Sequence, residues 1–200
     1  MGIVSRAADT YYTYKFIRLL TTDWKDLDAY EYGIIDDEGN VLRKSRELSD
    51  RDEKKAYTLF HRLVFSIKRL LQKFPGGKTV VGRYAAALFL IKETTGMSDE
   101  QIGHVLDKIG ISRDELQLSE ALEEKPWFML DESMIAPGVY ILVNEISSPL
   151  TGEPIAEENS RVVVDENTTP VGSIFGADIY SVRHKETHQQ IYITSRDIKR

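Results

Sequence analysis

The sequence predicts an α+β protein, with a helical N-terminal region that includes a small hairpin, followed by a small antiparallel β module, either barrel or sandwich. Three observations predict it. Apolar residues recur at steps of three and four through much of the first half. Past residue 133 the chain turns to short β-branched and aromatic runs broken by turn residues. The two patterns are segregated along the chain, which separates this class from one of alternating strands and helices. Residues 1–130 are therefore expected to form a mainly helical assembly region, and 131–200 a small β domain with a mobile polar loop at about 147–160.

The elements follow in order. Residues 5–22 read as a helix, with Tyr12, Phe16, Leu19 and Leu20 on one face. Ile34 and Ile35, the turn "DDEGN", then Val41 and Leu42 read as a hairpin closed by Gly39 and Asn40. Residues 52–74 carry a broad apolar stripe of Ala56, Phe60, Leu63, Ile67, Leu70 and Phe74, predicting one helix about 30 Å long at ~1.5 Å per residue. Asp50, Asp52 and Glu53 suit its positive end, Arg69 and Lys73 its negative end.

"FPGGKTVV" (74–81) ends as a phosphate-binding loop does, but such a loop needs glycine where Gln72 stands and a strand before it. Pro75, Gly76 and Gly77 are instead expected to stop one helix, with Thr79 as N-cap of the next. That next run, 80–93, is apolar nearly all round and is expected to be the central helix. "SDEQ" and "SRDE" both have capping-box spacing, so 98–124 should hold two short helices around Gly110. The layout imitates a helix-turn-helix, but the second helix, "RDELQLSEALEE", is acidic and would repel phosphates, so a packing hairpin is the better reading. Strands are expected at 138–146, 161–166, 173–184 and 189–198, the last two paired over "HKETH".

Composition narrows the chemistry. There is no cysteine among 200 residues, which excludes disulfides, thiolate zinc sites and cysteine nucleophiles. The N-terminal stretch lacks the apolar core of a secretory leader, and no uncharged apolar run approaches a ~20-residue span, so neither leader nor membrane segment is expected. Of the four histidines, His61 should be a packed ring, His104 has no ligand partner nearby, and His184 and His188 flank a turn. "GSIFG" lacks the spacing of a nucleophile elbow. The expectation is no catalysis, no cofactor, no metal and no small-molecule substrate.

Charge is distributed unevenly. Residues 54–92 hold nine Lys or Arg and no acid, and 93–166 hold seventeen acids against four bases. Such asymmetry points to a surface that meets a charged partner or to two blocks that face each other. On the 52–74 helix, Lys55, Arg62, Arg69 and Lys73 fall within about 40° of one another at ~100° per residue, with Ser66 among them. This basic stripe is the candidate contact site, for an acidic protein partner or a phosphate backbone; an ordinary solvated face is the plainer alternative.

Two runs carry a family resemblance: "TYYTYKFIRLLTTDWKDLDAYEYGIIDDEGNVLRKS" (10–45), and "AYTLFHRLVFSIKRLLQKFPGGKT" (56–79) followed by "YAAALFLIKE". The Tyr-rich helix entering Leu-Leu-Thr-Thr, the hairpin and "FHRLVF…KRLL" resemble tailed-bacteriophage virion structural proteins, including the prohead core (internal scaffold) proteins of large contractile-tailed phages. The resemblance spans about residues 10–93. It implies a non-enzymatic structural or assembly protein of the phage head, partnered in multiple copies by shell, portal and scaffold proteins; the basic helical region adds packaged DNA as a candidate partner. It implies location in the prohead or virion, and in the host cytoplasm during assembly. The alternative is a nucleic-acid-binding regulatory protein using the stripe of the 52–74 helix.

Overall fold

The structure is a computed structural model and describes residues 3–73, 78–111, 126–131 and 133–200. The expected proline–glycine helix stop at 75–77 and the expected second helix within 112–124 lie outside these residues. Helix α1 spans Ile3–Thr21, α2 Asp28–Glu31, α3 Arg51–Ala56, α4 Leu59–Lys73, α5 Lys78–Thr95 and α6 Asp99–Lys108. The class is α+β, helices first and antiparallel strands after.

Helix α1 lays Phe16, Leu19 and Leu20 onto α4, where the Phe16 and Phe60 rings meet edge to face at 6.1 Å. Its apolar spacing is the reason this face, and not another, turns inward. The expected single helix over 52–74 is two helices. Tyr57 leaves helical geometry at φ −135°, ψ 49°. Asp50 opens α3 with a reciprocal capping box to Glu53, and Glu53 is held by Arg43 at 2.7 Å. Thr58 then starts α4, its hydroxyl 2.7 Å from His61 Nδ1. The apolar stripe crosses this break without a gap, because both helices face one core.

Helix α4 is buried on nearly every side from Phe60 to Leu70, and in α5 Ala85, Ala87, Leu88, Phe89 and Ile91 are buried as well. Thr79 lies within α5, which already begins at Lys78, so it is not that helix's N-cap. Ser98 and Gln101 form the expected capping box of α6. The hairpin over 34–42 reduces to one bridge, Ile35 to Val41. Its turn is organised by Asp36, whose carboxylate accepts from the backbone N–H of Glu38 and Asn40 at 2.9 and 2.8 Å. Gly39 has φ +81°, and a Cβ there would sit 2.5 Å from the Trp24 ring, so the turn closes flat on the indole.

Among the described residues ten short strands follow: β1 Met129–Asp131, β2 Met134–Ile135, β3 Gly138–Leu142, β4 Ile146–Ser147, β5 Pro154–Ala156, β6 Arg161–Val164, β7 Gly172–Ile174, β8 Ala177–His184, β9 Gln190–Ile193 and β10 Ile198–Lys199. The expected strand over 173–184 is a hairpin, β7 and β8, turned by Phe175 and Gly176 at φ +48° and +74°. The β8–β9 pair forms over "HKETH" as expected. Pairing runs β9–β8–β6–β3–β10, and one 3-10 turn, Ser195–Asp197, carries β9 straight into β10 at the other end of the order. The sheet therefore curls toward a small barrel. Inward residues of all five strands, including Tyr140, Val162, Tyr180, Ile191 and Ile198, share one core.

Strand pairing begins at Met129, just inside the expected helical region. The helical core also takes in Ile174 and Ile179 from β7 and β8. Phe89 of α5 meets Tyr192 at 6.3 Å and covers Gly172, where a Cβ would lie 2.3 Å from the ring. Lys92 Nζ donates to Ser173 O at 3.0 Å, and Phe175 N donates to the Asp99 carboxylate at 2.7 Å. Helices and strands thus pack along α5. Full burial of one Phe side chain contributes ~2–3 kcal/mol, so this seam has real weight.

Candidate contact site on the basic helices

The four stripe residues do not share one surface. Lys55 is exposed on α3, and its ammonium pairs with Asp52 at 2.6 Å, which raises its pKa. Arg62 is half-buried on α4, and Lys73 is exposed at the end of that helix. Arg69 is buried, at 6% exposure, and its guanidinium donates to Gly39 O and to Thr151 O. Burial pushes its pKa down, although Tyr57, Glu153 and Asp36 favour the charge. Ser66 is also buried and donates to Ser148 O at 3.2 Å. The stripe is thus cut by the break at Tyr57 and folded inward at its middle. A partner's phosphates or carboxylates reach Arg62 and Lys73, but not Arg69.

The physical reason is the demand of two turns. Backbone carbonyls at Gly39 and Thr151 approach a nearly dry site and need donors. Arg69 offers a planar fork that serves both. Within the 147–160 segment, β4 and β5 pair as a short hairpin that ends at Ala156 and is contacted by Arg69 and Ser66. Lys68, which the sequence reading passed over, is buried too. Its ammonium donates to Thr22 O and lies 4.2 Å from the Trp24 ring centroid. Burial lowers its pKa to about 8, against the pull of Asp23.

A cleft of about 290 Å³ opens between α1 and the α2–α4 segment. Lys15, Arg18 and His61 line it, together with Leu19, Leu27 and Phe65. Lys15 and Arg18 sit three apart on α1, and that helical spacing is the one sequence signal for them. His61 is a packed ring as expected, 6.0 Å from Phe65. Burial, and then Lys15, lower its pKa to about 4, so it is neutral at pH 7.

His184 is buried at the end of β8 with Nδ1 2.9 Å from the Thr187 hydroxyl, while His188 is exposed in the turn. No group of three metal-binding side chains converges among the described residues. Among these residues no helix is long and apolar enough to cross a membrane.

Large apolar side chains are exposed in several places among the described residues, Tyr32, Leu42, Leu59 and Val171 among them, and the most exposed aromatic rings lie on α1 and near the start of the β part. On α1, Tyr11 and Tyr14 are 58% and 66% exposed. Near the start of the β part, Trp127 is 73% exposed with Leu130 and Val139 also open, and the Arg200 guanidinium lies 5.4 Å from the Trp127 ring centroid. Comparison with protein-family models, curated proteins and solved structures finds no match to this chain.

Proposed function

We propose that the chain is a non-enzymatic structural or assembly protein of a tailed-phage head, a prohead core, internal-head or connector component that works through protein–protein contacts. The observation that carries this reading is the pair of places with the most exposed aromatic rings, Tyr11 with Tyr14 and Trp127 beside Leu130. Tyr and Trp at a surface supply large, rigid contact area and are enriched at interface centres. The resemblance of residues 10–93 to virion structural proteins supplies the class of partner: shell, portal and scaffold proteins, in the prohead or virion. The basic stripe does not support the nucleic-acid alternative, since Arg69 is inside and Lys55 is paired. The test is sedimentation of the purified chain mixed with purified shell, portal and scaffold proteins. Co-sedimentation with one of them, weakened by Trp127→Ala or Tyr14→Ala, supports the reading; migration alone in every mixture overturns it.

A further inference from the structure

The geometry points to the cleft between α1 and α3–α4 as a binding site for a carboxylate carried on a short aliphatic stem. This goes beyond the docking reading and holds whether the carboxylate arrives on a polypeptide side chain or on a free small molecule.

Three potential donors, His61, Lys15 and Arg18, share one lining. The Thr58 backbone N–H donates to His61 Nδ1 at 3.3 Å. A backbone N–H can only donate, so Nδ1 is an acceptor and the neutral ring carries its proton on Nε2. The ring is 8% exposed and lines the cleft, and its hydrogen bonds to Thr58 are made at Nδ1, which leaves Nε2 for a ligand. Lys15 has no carboxylate partner there either; its ammonium rests 5.7 and 5.8 Å from the Tyr11 and Phe60 ring centroids. Arg18 lines the same cleft, also without an ion pair among these residues. Leu19, Leu27 and Phe65 provide apolar wall for a stem of two or three methylenes.

Carboxylates line the cleft as well, and they select the ligand. Asp52 is neutralised by Lys55 at 2.6 Å, whereas Asp26 and Asp28 are exposed to water. Cations and carboxylates on the lining therefore balance. A singly charged carboxylate satisfies the three donors without much added repulsion. Phosphate, carrying more than one charge at neutral pH, meets Asp26 and Asp28 unfavourably.

The test is long-range ¹H–¹⁵N spectroscopy of the imidazoles in the full ¹⁵N-labelled chain. It is titrated separately with N-acetyl-glutamate N-methylamide, butyrate and inorganic phosphate. The expected result is a saturable shift of the His61 nitrogens with a carboxylate, at a Kd of about 1–10 mM. His104, His184 and His188 should not move. Binding of the capped glutamate identifies a polypeptide source, and binding of butyrate alone a free monocarboxylate. Lys15→Met should weaken the response about tenfold through loss of a charge-assisted hydrogen bond. Arg18→Gln gives the same reading if Lys15→Met does not fold. Phosphate binding as tightly as the carboxylates, no saturable shift, or an unchanged response in a folded variant overturns the proposal.

Discussion

Replacing Arg69 by Met should cost far more than removing a surface cation. The side chain is of similar length, so packing is largely kept while two hydrogen bonds vanish. Those bonds reach Gly39 O in the Asp36–Asn40 turn and Thr151 O in the β4–β5 hairpin. A hydrogen bond to a charged donor is worth about 1.5–3 kcal/mol, giving roughly 3–6 kcal/mol for two. Relief from desolvating a guanidinium offsets part of that, so the expected net loss is about 3 kcal/mol. In a chain of this size the melting temperature should fall by about 6–12 °C. Arg69→Lys should recover less than half, because one ammonium cannot span both carbonyls. Urea unfolding is the assay, read by tryptophan fluorescence from Trp24 beside the first turn and Trp127 near the strands. A loss under about 1 kcal/mol for Arg69→Met, or a Lys variant as stable as wild type, would refute the assignment of Arg69 as an internal clamp.

Gly39→Ala should destabilise by about 2–4 kcal/mol, from left-handed backbone strain and a clash with Trp24, and near-UV circular dichroism should report the displaced indole. His61 makes stability fall in acid: its folded pKa of about 4 lies below the ordinary 6.5, so the unfolded chain binds the proton first. That stability is complete above pH 6.5 and is lost as pH drops through 4, by about 3 kcal/mol, so urea midpoints of His61→Phe should decline less over that window. Asp99→Ala removes the acceptor for Phe175 N at 2.7 Å and the partner of Lys92 at 2.6 Å, and should speed amide exchange at the β7–β8 turn while costing about 1–3 kcal/mol.

Much of the fold was legible because periodicity and caps are local signals. Phe16, Leu19 and Leu20 marked the buried face of α1, and the Ser98–Gln101 box marked the start of α6. The break at Tyr57 was not, because Ala56 and Phe60 keep helical spacing across it. The sign of the break was Thr58 itself, a good N-cap residue in mid-run. Gly176 likewise announced the β7–β8 turn, inside what reads as one strand.

The candidate site was least legible. Charge spacing placed Lys55, Arg62, Arg69 and Lys73 on one face, but it carries no information about carbonyls 30 and 82 residues away. Arg69 is inside because two turns need donors, a demand set by tertiary approach. The cleft was hidden for the same reason: Lys15 and Arg18 face His61 only once α1 lies on α4.

The most direct measurement is hydrogen–deuterium exchange on the chain alone and after co-assembly with purified phage head proteins. The account predicts new protection at the Tyr11–Tyr14 turn of α1 and across Trp127–Val139, with little change in α4, which is already buried. Unaltered exchange at both faces in every assembly would contradict it.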